Sequence, residues 1–317
     1  MVEWWNDAQI NLLTVLSSIP FLQYSIPPIF HSSQLAANVT IAENSSVAIR
    51  QDIRSDFELS GMNAVVTGAA SGIGRQIALR LAAAGANCLL HTRKNEDALR
   101  DVARRIQDSG SEVLSIVGDL ASGDQQERLC REAFEWNSKI DIWINNAGAD
   151  VLTGEAADWS FEDKLQQLWE VDVVATIRIS RIAGQRMKEV GGGVLLNMGW
   201  DQAEHGMAGD SGEMFAASKG AVMAFSRSLA RSLAPEVRVN CLAPGWIRTA
   251  WGEHASDYWQ QRATEDSLLG RWGTPEDVAR VAHFLVSPAA SFITGQVIPI
   301  NGGMRQSQGN SSRGPDG

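Results

Sequence analysis

The residues with the clearest chemical meaning are the glycines of Thr67-Gly-Ala-Ala-Ser-Gly-Ile-Gly74, at positions 68, 72 and 74. They follow a short apolar run, Ala64, Val65 and Val66, and open a stretch rich in Ile77, Ala78, Leu79, Leu81 and Ala82. The local order is strand, glycine turn, helix. Glycine lets the backbone turn tightly and approach a ligand with no Cβ in the way. The first N–H groups of the helix and its dipole then receive the negative charge of a pyrophosphate. The expected chemistry here is dinucleotide binding. Further on, Asp201, His205, Asp210, Ser211 and Glu213 are spread among Gly206, Gly209 and Gly212, with Lys219 beyond them. Carboxyl, imidazole and hydroxyl groups in a glycine-rich stretch can move a proton to or from a small ligand.

These residues need a frame. Strand-like segments near Ala64, at Asn87 to Thr92, Val113 to Val117, Ile140 to Ile144, Val194 to Met198, Arg238 to Leu242 and Val297 to Ile300 alternate with helix-like patterns. Such alternation predicts an α/β protein with a Rossmann-like, doubly wound parallel sheet in one main domain, residues 57–304. In these sheets ligands bind beyond the carboxyl ends of the strands, where strand order reverses, and the motifs fall in those loops.

Composition agrees. The 317 residues are 44% hydrophobic and 20% charged, enough to bury a substantial core. A formal charge of −10 argues against a nucleic-acid surface, which needs clustered Lys and Arg, and points to a small-molecule substrate. Cys88, Cys130 and Cys241 match no metal-ligand spacing and no disulfide framework, so no metal is expected and a reducing, cytoplasmic setting is.

Residues 1–56 read as an N-terminal extension, expected to be poorly ordered, with no Lys or Arg before Arg50. The apolar run from Ile10 to Pro20 is too short to span a bilayer and lacks the basic flank of a signal peptide. Without export the triplets Asn38-Val-Thr40 and Asn44-Ser-Ser46 carry no consequence. The extension either stays disordered, docks on a partner subunit through Trp4, Trp5 and the apolar run, or reflects a misassigned start codon. Residues 305–317, rich in Gly, Ser, Asn and Gln, are expected to form a flexible solvated tail.

More motifs follow in order: Asp119-Leu120 after the third strand, Asn145-Asn-Ala-Gly148 after the fourth, Ser218-Lys219, and Pro244-Gly245 with Thr249. Then come Arg271-Trp-Gly-Thr-Pro-Glu-Asp-Val-Ala279, Thr294-Gly295 and Asn301-Gly-Gly303. With the glycine turn, this set resembles the short-chain dehydrogenase/reductase family, nearest to the reductases of the 3-oxoacyl carrier-protein type. The resemblance implies that Gly68, Ser71, Gly72, Ile73 and Gly74 wrap the pyrophosphate and that Asp119, with Leu120, receives the adenine amine. It places Asn146, Ala147 and Gly148 at the adenosine ribose, and Pro244, Gly245 and Thr249 at the nicotinamide. Asn146 has a plainer reading as a brace for the strand end. A homodimer or homotetramer through the helices around Leu165 to Met187 and Ala221 to Leu233 is also implied.

The end of the second strand speaks to cofactor choice. An NAD-preferring site places an acid there for the ribose hydroxyls. This chain has Thr92-Arg93-Lys94, and Arg93 can clasp a phosphate with its planar fork while Lys94 adds charge. NADP(H) is favoured over NAD(H).

The resemblance also exposes a departure. The family pattern uses a tyrosine, a lysine, a serine and an asparagine, and only the lysine remains, as Lys219. Phe215 stands at the tyrosine, Trp200 or the adjacent Asp201 at the serine, and Asp172 at the asparagine. A positioned general acid contributes about 100 to 10,000-fold and one oxyanion-type donor about 100 to 1,000-fold, so their loss should cripple ordinary ketone reduction, and a reactive acceptor is reduced only if another group supplies the proton. The candidates are Lys219, Asp172, Asp201 and Glu213. Asp172 lies at helical spacing from Leu165, Leu168 and Trp169 on a face expected to be buried, where a carboxylate needs a partner. Pairing with Lys219 is the preferred role for Asp172 over moving the proton itself.

Eleven tryptophans accompany two tyrosines. Trp246, Trp251 and Trp259, with Trp200 and Phe215, are expected to line an apolar substrate pocket, while Trp272 packs the core. Tyr258, the only tyrosine of the main domain, is a remote substitute for the missing phenol. Two functions fit: an NADP(H)-dependent oxidoreductase with a replaced proton donor, acting on a small apolar or aromatic carbonyl, imine or activated alkene, or a nucleotide-binding protein without turnover serving as sensor, scaffold or oligomer subunit.

Overall fold

The computed structural model describes residues 55–305. The expectations for Trp4, Trp5, the two Asn-X-Ser/Thr triplets and the tail lie outside them. The apolar segments form seven strands: β1 (Asn63–Val66), β2 (Asn87–Thr92), β3 (Val113–Val117), β4 (Ile142–Asn145), β5 (Gly193–Met198), β6 (Val237–Pro244) and β7 (Val297–Ile300). Every neighbouring pair is parallel, and the order across the sheet is β3-β2-β1-β4-β5-β6-β7. Val65 sits opposite Leu89 on one side and Trp143 on the other. Strand order reverses between β1 and β4, and a crevice for a ligand belongs at their carboxyl ends.

Nine α-helices cover the sheet: α1 (Gly72–Ala83), α2 (Glu96–Asp108), α3 (Gly123–Trp136), α4 (Phe161–Leu168), α5 (Ala175–Glu189), α6 (Asp210–Leu233), α7 (Ala250–His254), α8 (Asp257–Asp266) and α9 (Pro275–Val286), counted among the described residues. Strands buried on both faces read as continuous apolar runs, as in Asn63-Ala-Val-Val66, all buried. Alternate residues serve opposite layers. Val66, Leu90, Ile144 and Leu196 pack with Ile77 and Leu81 of α1, Leu99 and Val102 of α2 and Val278 of α9. Val65, Leu89, Trp143 and Leu195 pack with Leu129 of α3, Ile179 and Ala183 of α5 and Leu229 of α6.

Local signals set the helix ends. Asn95 caps α2 by accepting from the Ala98 amide, and Ser160 caps α4 by accepting from Asp163. Thr274 and Asp277 form a reciprocal capping box before α9, with Pro275 in its first turn. At the start of the described chain, the Ala289 amide donates to Asp56 O at 3.2 Å and His283 Nε2 lies 2.7 Å from Phe57 O. Among the described residues no helix is long and apolar enough to cross a membrane, and no cluster of His, Cys, Asp and Glu could hold a metal ion.

Candidate active site

Beyond β1 the chain turns through Thr67, whose Oγ1 accepts from the amides of Asn146 (3.0 Å) and Ala147 (2.9 Å). Asn146 Nδ2 donates back to Thr67 O at 3.0 Å, which ties the glycine turn to the end of β4. Asn146 is therefore engaged as a brace, and Thr67, given no role from sequence, is the residue it braces. Gly68 (φ +66°) and Gly72 (φ +54°) take left-handed backbone that side chains disfavour. Gly74 is needed for another reason: a Cβ there would lie 2.2 Å from Gly68 O and 2.4 Å from Asn146 Nδ2. Ser71 precedes α1 without a side-chain cap bond, which leaves the first amides of the helix to another acceptor. Thr249 comes close on the other side, 3.5 Å from where a Cβ of Gly72 would be. Gly68, Ser71, Gly72, Ile73, Gly74, Ala147 and Thr249 are thus brought together in a cradle that fits a pyrophosphate.

After β3 Asp119 is exposed, with Oδ1 accepting from the Ala121 amide at 2.9 Å, and Leu120 is buried beside it. Arg93 and Lys94 are exposed beyond β2, and the acids that follow them, Glu96 and Asp97, are engaged by Arg100. His91, two residues earlier, is buried with Nε2 2.9 Å from Gly118 O. Burial pushes its pKa down to about 4, so it is neutral near pH 7 and the cations of this loop are Arg93 and Lys94.

α4 does not continue regularly into α5. Trp169–Val174 form a wider, π-helical turn, which interrupts the ordinary helical spacing. Leu168 and Asp172 face inward, but Trp169, expected on the buried face, is 45% exposed because the regular spacing ends where the wide turn begins. Asp172 is 2% exposed, and its Oδ2 lies 2.6 Å from Lys219 Nζ. Its Oδ1 accepts the Ala149 amide at 2.8 Å, and Gly148 leaves room for the carboxylate, since a Cβ there would lie 3.1 Å from Oδ2. Lys219 Nζ also reaches Met198 O at 3.4 Å. A buried carboxylate and a nearly buried ammonium thus satisfy each other.

Phe215 lies one helical turn before Lys219 on α6 and presents a ring, 6.2 Å from that of Trp200, edge to face. The neighbouring Ser218 hydroxyl is bonded to Met214 O and Phe215 O, within its own helix. Glu213 is exposed and two positions from Phe215, about 200° around the helix. The structure does not bring Glu213 together with Phe215 and Lys219, a correction to its expected place in the site.

Asp201 follows Trp200 and is 6% exposed. Its carboxylate accepts from Asn301 Nδ2 (3.1 Å) and the Gln202 amide (2.8 Å). A Cβ on Gly245 would lie 2.9 Å from its Oδ2, so Asp201, Asn301 and the Pro244-Gly245 turn meet. Burial raises the Asp201 pKa to about 6 against the lowering effect of these hydrogen bonds. His205 and Asp210 of the same segment are exposed. Asn301 and Gln202 were not singled out in the sequence; only the Asn301-Gly-Gly303 motif hinted at the first.

The aromatic segment after Gly245 packs mainly on itself. Trp246 lies 5.4 Å from Trp259 and 6.1 Å from Trp272, which is 4% exposed and belongs to the core. Tyr258 is 5.0 Å from Trp259, and its hydroxyl accepts from Arg262 Nη1 at 3.4 Å. The Trp251 side chain lies outside what is described.

The family model for enoyl-(acyl carrier protein) reductase matches residues 68–305. The chain is 33% identical over 256 residues to the 3-oxoacyl-(acyl-carrier-protein) reductase FabG of Aquifex aeolicus, covering 78% of this chain and 99% of that one. It is 36% identical over 253 residues to an NAD-dependent glycerol dehydrogenase of Listeria innocua, covering 78% and 95%. A solved 3-oxoacyl (acyl-carrier-protein) reductase from Agrobacterium tumefaciens, with NADP bound, superposes with TM-score 0.71 at 30% identity over 79% of this chain and 96% of that one. A 7α-hydroxysteroid dehydrogenase complexed with NADH and 7-oxo glycochenodeoxycholic acid gives 0.72 at 30%, over 80% and 98%. With the parallel sheet, the glycine turn and Lys219 in place, the chain belongs to the short-chain dehydrogenase/reductase family of oxidoreductases.

Proposed function

We propose that the protein is an NADP(H)-dependent oxidoreductase that acts on a small apolar or aromatic carbonyl, imine or activated alkene and moves the proton without a tyrosine. The observation that carries this reading is the 2.6 Å pair of Lys219 and Asp172 beside Phe215, joined to an intact cradle of glycines. A nicotinamide cofactor supplies or accepts the hydride when bound. Gly68, Gly72 and Gly74 admit the pyrophosphate to the α1 amides, and Arg93 and Lys94 hold the extra phosphate. The Asp172 carboxylate keeps Lys219 charged and fixed, so the ammonium can hold a ribose hydroxyl. Trp200 and Phe215 give the substrate an apolar wall.

Asp201 takes the proton role. It is buried, lies against Gly245, and has a pKa of about 6, which lets it carry a proton just below neutral pH and release it to the substrate. The relatives are named as reductases and a dehydrogenase, one NAD-dependent and one solved with NADP bound, which supports turnover over a purely binding role. The family likeness further supports a homodimer or homotetramer. The thiols of Cys88, Cys130 and Cys241, all buried with pKa pushed up to about 12, suit a reducing cytoplasm.

NADPH oxidation followed with a panel of aromatic ketones, imines and enones tests the reading. Turnover that falls by about 100-fold or more in Asp201→Asn, with unchanged NADPH affinity, is expected. Equal turnover in that variant removes Asp201 from the chemistry.

A further inference from the structure

A cleft of about 470 Å³ opens beside the Trp200–Gln202 turn, within the size range of small-molecule sites, about 300–1,000 Å³. Three segments wall it: Gln202, His205 and Gly206 after β5, Arg262 and Asp266 on α8, and Met304 with Arg305 at the end of the described chain. The walls are fastened to one another. Arg305 N donates to Asp266 O at 2.8 Å, Leu268 N to Gly303 O at 2.8 Å, and Asn301 Nδ2 to Asp201 at 3.1 Å.

Donors are prominent in this cleft, beside the His205 imidazole, which can donate or accept. Gln202 is 4% exposed, yet its Nε2 is buried with no partner among the described residues. A buried amide in that state is costly unless something accepts from it. Arg262 is held rigidly: Nε lies 3.5 Å from Asp266, Nη1 donates to Tyr258, and the guanidinium sits 5.2 Å from the Trp259 ring and 6.0 Å from Trp246. Asp266, the one carboxylate of the wall, already accepts from Trp246 Nε1 at 3.2 Å as well as facing Arg262. Arg262 is balanced by Asp266, so the unbalanced charge of the wall is the Arg305 guanidinium, in a chain whose net charge is −10. A planar anion matches a guanidinium fork and an amide donor better than a neutral group does.

We infer that this cleft binds a carboxylate carried by the substrate, held by Arg262 and Arg305 and by the Gln202 amide once it turns toward the cleft, with the reacting group at the Trp200–Asp201 turn that the cleft adjoins. This names a substrate class for the proposed reductase and rests on that reading: a small carbonyl compound, or its equivalent, with an acid group at its far end.

The probe pair is 4-acetylbenzoate and its methyl ester, equal in ring and ketone and different in charge. Their affinities for the full chain are measured by calorimetry, with and without NADP⁺. The acid is expected to bind about tenfold tighter than the ester, the scale of one or two charge-assisted hydrogen bonds partly open to water. That preference should drop below about threefold in Gln202→Leu and in Arg305→Ala, the second an exposed residue whose loss does not threaten folding. Equal binding of acid and ester, binding of neither, or a preference that survives both substitutions overturns the inference. A titration of the same sample with NADPH reports separately on the cofactor: acid preference without NADPH binding upholds the cleft and sinks the reductase, and the reverse sinks the cleft alone.

Discussion

Lys219 Nζ lies 2.6 Å from Asp172 Oδ2, and the other oxygen of that carboxylate accepts the Ala149 amide at 2.8 Å. The contact joins α6 to the wide turn between α4 and α5 and, through the Ala149 amide, to the loop after β4. With no phenol at position 215, the carboxylate is the charged partner of Lys219.

Removing one member of this pair leaves the other buried and alone, which costs about 3–5 kcal/mol for a fully buried pair and less here, where Lys219 is 12% exposed. Asp172→Leu and Lys219→Met should each lower the melting temperature, and the double variant should lose less than the sum of the two. Asp172→Asn should weaken NADPH binding together with turnover. Abolished turnover at unchanged cofactor affinity would instead make Asp172 the group that moves the proton.

Asp201 links pH to stability with the opposite sign to most carboxylates. Its folded pKa, about 6, lies above the ordinary aspartate value of 3.8, so between these pH values the native state holds more protons than the unfolded chain. Stability therefore falls as pH rises from about 4 to 6, by on the order of 2–3 kcal/mol, and stays lower above that window. Asp201→Asn abolishes that slope and should gain stability on the wild type at pH 7.5 relative to pH 4. Urea melts at the two values check it. The rate of carbonyl reduction should fall as pH rises through about 6, the protonated acid being the donor, and a flat rate profile would exclude it.

Much of this was legible in the sequence. The seven strands appear where apolar runs placed them, since strands covered on both faces leave continuous hydrophobic signatures. The glycine turn was legible because positive φ and close approach admit few other residues. Less legible were features that depend on three-dimensional neighbours. The wide turn at Trp169–Val174 has no sequence marker, and it turned Trp169 out to solvent. The Asp201–Asn301 bond joins two loops far apart in the chain, and the clustering of Trp246, Trp259 and Trp272 depended on how α7 and α8 fold back. Glu213 was misplaced because spacing in a loop gives no facing until the helix start at Asp210 is fixed.

Restoring the family hydroxyls distinguishes a rebuilt site from a decayed one. In Phe215→Tyr with Trp200→Ser, reduction of ethyl acetoacetate should rise by less than about tenfold, because Lys219 is already committed to Asp172. A gain of about 100-fold or more, the contribution of a positioned general acid, would mark a site that lost its donor and gained none.

Gly74→Ala should abolish nucleotide binding. Its Cβ would sit 2.2 Å from Gly68 O, so the turn and α1 must separate. Circular dichroism should show a folded protein in which NADPH no longer quenches tryptophan fluorescence.

The most direct measurement is a titration of the protein with NADPH and, separately, NADH, followed by quenching of its tryptophans, for the wild type and Arg93→Ala. The expected result is tight binding that favours NADPH, with the preference falling about tenfold or more in Arg93→Ala while NADH affinity stays the same. Failure of both cofactors to bind, or equal affinity for the two in the wild type, would contradict an NADP(H)-dependent oxidoreductase.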